Sequence, residues 1–221
     1  MIKNILFDID DTLFPTTEFS SLARKNALNA MIGMGLDACY DDLNHRLNAI
    51  IHTKGSNYQK HFDVLCRELH MRNPARYVAA AIAAYHDTKT AIQPFPTVPL
   101  TLLKLRQSRH RLYVATNGNP TKQWDKLIRL RIGLYFEDVF VSEEVGSEKG
   151  PAFYRKVLKA IGAKPAECVM VGDREDVDIW PAKEIGMHTV RMLAGRHIAI
   201  PTRADASIRD ISELPAVLHH L

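Results

Sequence analysis

Three carboxylates fall within four positions in Phe7-Asp8-Ile9-Asp10-Asp11-Thr12-Leu13, at the end of the apolar run Ile2 to Ile9. Like charges this close repel one another, and a buried strand end solvates them poorly. A solvated turn with a helix cap is the bland alternative, since Asp and Thr often serve there. The spacing also suits chemistry. Side chains alternate along an extended strand, so Asp8 and Asp10 can point the same way. One carboxylate can attack a phosphorus atom, while the other gives a proton to the leaving oxygen and later takes one from water. A divalent cation would relieve the repulsion and bind phosphate oxygens.

The elements needed to position these groups are visible in the apolar pattern. Ile2 to Ile9 reads as a buried strand of a parallel sheet. Leu112 to Thr116, Val139 to Ser142, Cys168 to Val171 and His188 to Met192 read as four more strands. Helical spacing appears between them, at Trp124, Leu127, Ile128 and Arg131, and at Phe153, Val157, Leu158 and Ile161. Strands alternating with helices imply an α/β chain of right-handed βαβ units on a central parallel sheet. Ligands of such sheets gather at the carboxyl ends of the strands. Asp8, Thr116 and Asp173 all fall at such ends.

Residues 15–95 break this rhythm. Ser21 to Met31, Asp41 to Ile51, Tyr58 to Leu69 and Arg76 to Thr88 are amphipathic or alanine-rich, so the segment reads as an all-helical insertion of about four helices. Residues 1–14 and 96–221 then form the core.

The motif Asp8-Ile9-Asp10-Asp11-Thr12 resembles DxDx(T/V), the first motif of the haloacid dehalogenase superfamily. The likeness covers nearly the whole chain, with four motifs in order, and it implies a three-layer α/β sandwich with a central parallel sheet. It implies that Asp8 is the nucleophile and Asp10 the general acid/base, with Asp8 and the Asp10 backbone carbonyl among the ligands of Mg²⁺. Thr116 matches the second motif and would hold a phosphoryl oxygen together with the next backbone N–H, and Asn117 and Gly118, which follow it, are candidate substrate contacts. Lys149 matches the third, although the family usually shows Lys-Pro and this chain has Lys149-Gly150-Pro151. Gly172-Asp173-Arg174-Glu175-Asp176-Val177-Asp178 resembles GDxxxxD. By that likeness Asp173 binds Mg²⁺ directly, and Asp178 orients metal-bound water or the lysine. Asp176 reads as structural or as a more distant helper. The helical insertion resembles the cap of subgroup I, which in that family closes over the site and reads the leaving group.

Gly55-Ser56-Asn57-Tyr58-Gln59-Lys60-His61 and Thr116-Asn117-Gly118-Asn119-Pro120-Thr121-Lys122 resemble an archaeal branch associated with glyceraldehyde-3-phosphate phosphatase. Asn57, Tyr58 and His61 are candidates to face substrate, or Tyr58 and His61 pack the insertion. Lys122 could contact phosphate or cap the helix that follows.

These readings imply a Mg²⁺-dependent phosphatase acting on a small phosphorylated metabolite through an aspartyl-phosphate. Asp10 disfavours a dehalogenase, in which the residue two after the nucleophile is typically not Asp. A sugar-phosphate mutase, a phosphonate hydrolase using Lys54 or Lys60, and a catalytically idle binding module remain alternatives. The net charge of +4 is dispersed and carries no aromatic-interleaved stripe, so a nucleic-acid partner is not expected. Cys39, Cys66 and Cys168 form no CxxC pair, and the N-terminus runs straight into a strand. Both features fit a cytoplasmic protein with free thiols. No apolar run approaches the roughly 20 residues that span a membrane. A monomer and a homodimer are equally compatible.

Overall fold

The first strand, β1 (Asn4–Phe7), is wholly buried and lies at the middle of a sheet. The computed structural model describes residues 1–55 and 58–221. After β1 come four helices: α1 (Thr16–Gly33), α2 (Tyr40–Lys54), α3 (His61–Glu68) and α4 (Ala75–Thr90). The chain continues as α5 (Val98–Gln107), β2 (Arg111–Thr116), α6 (Pro120–Arg129), β3 (Asp138–Val141) and a short helix α7 (Ser142–Val145). It ends with α8 (Pro151–Ile161), β4 (Cys168–Gly172), α9 (Trp180–Glu184), β5 (His188–Met192), β6 (Ala206–Ile208) and α10 (Leu214–Leu218).

The sheet has six parallel strands in the order β3-β2-β1-β4-β5-β6, flanked by helices. The α/β architecture expected from the alternating pattern is therefore present. The sixth strand is an addition to the five legible in sequence. It is three residues long, Ala206-Ser207-Ile208, and only Ile208 is buried. So short a piece carries no periodic signal.

Strand alternation sorts the core. Leu6, Tyr113, Ala115 and Met170 share one face and pack under Phe153, Tyr154 and Val157 of α8. The capping of α8 explains its limits. Pro151 occupies its first turn, where a missing N–H costs nothing, and Gly162 ends it in the left-handed region, donating to Leu158 O.

Two compact units divide the chain. One comprises Met1–Thr17 and Gln93–Leu221, and the other Glu18–Ile92. The helical unit has its own core, built from Ala27, Leu28, Met31, Leu43, Leu47, Ile50, Leu65 and Tyr77. Among the described residues, no helix is long and apolar enough to cross a membrane.

Candidate active site

β1 pairs with β2 on one side and β4 on the other. The chain therefore leaves its central strand toward opposite edges, and the crevice at such a switch point is where open α/β sheets bind ligands. Asp8 extends the ladder by one residue, its N–H donating to Val171 O at 2.9 Å. The turn beyond it is tight. Thr12, Leu13 and Phe14 all donate to Ile9 O, and Asp11 adopts φ 52°. The Asp11 carboxylate accepts from Thr17 N (2.8 Å) and Thr17 Oγ1 (2.5 Å), so the third carboxylate of the motif ties down the start of α1.

Asp8 meets Lys149 and Asp178. Lys149 Nζ donates to Asp8 Oδ1 at 2.6 Å and to Asp178 Oδ1 at 2.5 Å, and all three side chains are almost wholly buried. Burial alone would push the lysine down, but the two carboxylates win and hold it well above its ordinary value. Lys149 is positioned through its backbone, whose N–H donates to Asn117 Oδ1 at 2.8 Å. Gly150 takes an extended conformation (φ −178°) open to any residue, so the added glycine demands no special backbone.

Asp173 completes the cluster. Carboxylate oxygens of Asp8, Asp173 and Asp178 lie within 4.8 Å of one another. After Asp173 the chain makes a π-helical turn, Glu175–Ile179. Widened turns of this kind recur at functional sites. Here it returns Asp178 to the strand end, where Asp178 Oδ2 accepts from Arg174 N at 3.0 Å. Asp178 fits because Gly172 has no side chain: a methyl there would lie 2.6 Å from Asp178 Cβ. Gly172→Ala should therefore displace Asp178, cost about 1–3 kcal/mol and cut activity sharply. Urea midpoints and turnover equal to wild type would show that the close approach is dispensable.

One ammonium cannot balance three buried carboxylates. Burial, then the negative charge of Asp178 and Asp10, raises Asp8 to about 7 despite the opposing pull of Lys149. Burial, then Asp8, Asp178 and Asp11, raises Asp173 to about 8. The donor set fits a hard divalent cation: all the ligand atoms are oxygens, and the surplus charge is negative. Asp8 and Asp173 would hold it, with Asp178 already engaged by Lys149.

Asp10 is turned to different partners. Its Oδ1 accepts from Thr16 Oγ1 and Lys126 Nζ, both at 2.5 Å. Burial would raise this carboxyl, but Lys126 foremost, with Thr16, holds it below the usual range. Lys126 is the lysine of α6 that reaches the motif, one helical turn beyond Lys122. Lys122 is exposed, and its amide is capped by Asn119 Oδ1 at 3.3 Å.

The second motif is packed from beneath. Thr116 is buried and its Oγ1 makes a long contact of 3.5 Å to Asn117 O. The Gly118 N–H is committed to Ser142 Oγ at 3.0 Å, and Gln123 Nε2 donates to Asn117 O at 2.9 Å. Asn117 thus braces Lys149, while Gly118 offers its amide to the protein. Asp176 pairs with Arg174 on the surface. In the helical unit, a His61 ring nitrogen bonds Gly55 O at 2.9 Å, and its ring packs edge-on against Tyr58 at 5.4 Å. Asn57 lies outside the described residues.

This geometry accords with the chain's similarity to known proteins. A family model described as haloacid dehalogenase-like hydrolase matches residues 2–186. A glyceraldehyde 3-phosphate phosphatase of Methanopyrus kandleri is 43% identical over 214 residues, covering 95% of this chain and 92% of its own. A protein of the same name from Methanocaldococcus jannaschii is 42% identical over 225 residues, covering 100% and 99%. Among solved structures, magnesium-bound YfnB of Bacillus subtilis superposes with a TM-score of 0.70 at 20% identity, covering 98% of each chain. The chain belongs to the haloacid dehalogenase-like hydrolases, and it is an enzyme of that family.

Proposed function

We propose that this enzyme is a Mg²⁺-dependent phosphatase that hydrolyses a small phosphorylated sugar through a phosphoryl-Asp8 intermediate, with a triose phosphate such as glyceraldehyde 3-phosphate as the leading substrate. The observation that carries the reading is the lone ammonium of Lys149 between Asp8 and Asp178, with Asp173 in the same buried cluster. The names of the relatives at about 42% identity support the substrate class. Three free thiols support a cytoplasmic setting, in which the enzyme acts as a monomer or homodimer on a small metabolite.

In this reading the Asp8 carboxylate attacks phosphorus, and Asp10, which must give up its Lys126 ion pair and take up a proton first, protonates the departing sugar oxygen. Asp10 then takes a proton from water as that water attacks the aspartyl-phosphate. Lys149 holds Asp8 in place and offsets the charge gathering around it. Thr116 and the Asn117 amide contact phosphoryl oxygens. When bound, Mg²⁺ neutralises the negative charge shared by the carboxylates and the phosphoryl group.

A panel of sugar phosphates, assayed for both inorganic phosphate and isomerised ester, tests the proposal. Phosphate release that depends on Mg²⁺ is expected. An isomerised ester as the main product would make the enzyme a mutase, and no turnover of any ester despite bound metal would make it a binding module.

The raised carboxyls also fix a pH dependence. Folded Asp8 and Asp173 keep protons up to about 7 and about 8, whereas an unperturbed aspartate carboxyl titrates at 3.8. Between those limits the folded state binds more protons than the unfolded one, so metal-free protein loses stability as pH rises. Thermal melts with and without Mg²⁺ should diverge from about pH 5 to about pH 8, with the cation's benefit growing at the alkaline end. A Mg²⁺ effect that shrinks toward pH 8 would contradict the placement of the cation on these carboxylates.

A further inference from the structure

Arg191 near the end of β5 is wholly buried, and β4–β5 pairing sets it beside Gly172, the residue before Asp173. A buried guanidinium is costly unless its donors are used. Here they go to main-chain carbonyls. Nε donates to Asp173 O at 3.1 Å, Nη1 to Ile200 O at 2.6 Å and Nη2 to His197 O at 2.6 Å. The nearby carboxylate, Glu175, stands 3.6 Å away. Glu175 is itself occupied, with Oε2 accepting from Thr202 Oγ1 (2.8 Å) and Oε1 from Arg203 N (2.9 Å). Arg191 and Glu175 together string the segment after β5 onto the turn that carries Asp173. The same segment passes the first-strand turn so closely at Gly195 that a methyl there would overlap the Asp11 carboxylate. One stretch of chain is thus fitted to the turns bearing both Asp8 and Asp173.

We infer that Arg191 is a positioning residue of the cation site: its planar fork fixes the Asp173 peptide, and through it the direction in which the Asp173 carboxylate faces Asp8. This rests on the reading of Asp8 and Asp173 as the cation ligands. Geometry held this tightly matters most to an ion that demands near-octahedral ligands, and less to a larger ion that accepts irregular ones. Arg191 therefore contributes to preference for Mg²⁺ over Ca²⁺ as well as to affinity.

The test is calorimetric titration of Mg²⁺ and of Ca²⁺ into wild type, Arg191→Lys and Arg191→Met, beside urea melts of each. Lysine keeps the charge and loses the fork. Arg191→Lys is expected to raise the Mg²⁺ Kd by about 10-fold or more and the Ca²⁺ Kd by clearly less. Arg191→Met should do the same more severely if it folds, and if it does not, the lysine variant decides alone. A folded Arg191→Lys whose two Kd values both stay within about twofold of wild type would leave Arg191 a mere packing residue and overturn the inference. Wild-type protein that binds neither ion would overturn the cation reading itself, and the inference with it.

Discussion

Asp8→Asn is expected to abolish phosphate release, by on the order of 10⁴-fold or more, while leaving a folded protein. The amide is nearly the same size and shape as the carboxylate but cannot attack phosphorus. Folding should survive because Lys149 keeps its second partner, Asp178, at 2.5 Å. Burial and neighbouring negative charge hold Asp8 at about 7, so its ionised form is a burden to the metal-free fold above that pH. The asparagine variant should therefore match or exceed wild type in metal-free melts at pH 8. Turnover retained in a folded variant would show that another group is the nucleophile.

Lys149→Met carries the second large effect, and its signature is different. Removing the ammonium leaves Asp8, Asp173 and Asp178 crowded in a buried cluster without a compensating cation. Breaking a buried pair from one side costs about 3–5 kcal/mol. That cost requires the carboxylates to be ionised. It should be close to full at pH 8 and shrink as Asp8 and Asp173 take up protons toward about pH 5. Activity should fall by on the order of 10³-fold, since Lys149 offsets charge where the phosphoryl group arrives. Urea unfolding at the two pH values checks the first expectation. A stability loss equal at both would mean that packing, not charge, is what Lys149 supplies.

The site was legible where chemistry leaves a local mark. Asp8 and Asp173 stand out at the ends of apolar strands, Lys149 and Asp178 through their likeness to the family's motifs, and the structure brings these four together. What could not be read depends on phase. Lys122 and Lys126 are one helical turn apart on α6, and nothing local says which of them meets the first-strand turn. The docking of the helix settles it in favour of Lys126. The return of Asp178 rests on a π-helical turn, which a 3.6-residue period does not anticipate. Arg191 was hidden inside His188-Thr189-Val190-Arg191-Met192, read as one strand among five, and its partners are carbonyls that sequence cannot display. Gly118 illustrates the same limit from the other side. A glycine after a strand end suggests an amide open to phosphate, yet Ser142, 24 residues on, has taken it.

Inserting a helical unit between β1 and β2 has a consequence for how the chain comes off the ribosome. β1 emerges first, but its two neighbours in the sheet, Arg111–Thr116 and Cys168–Gly172, are translated more than a hundred residues after it. Glu18–Ile92, with a core of its own, is complete before either neighbour exists. The helices can therefore collapse onto their own core during synthesis, while β1 stays without its sheet neighbours until chain more than a hundred residues downstream has been made.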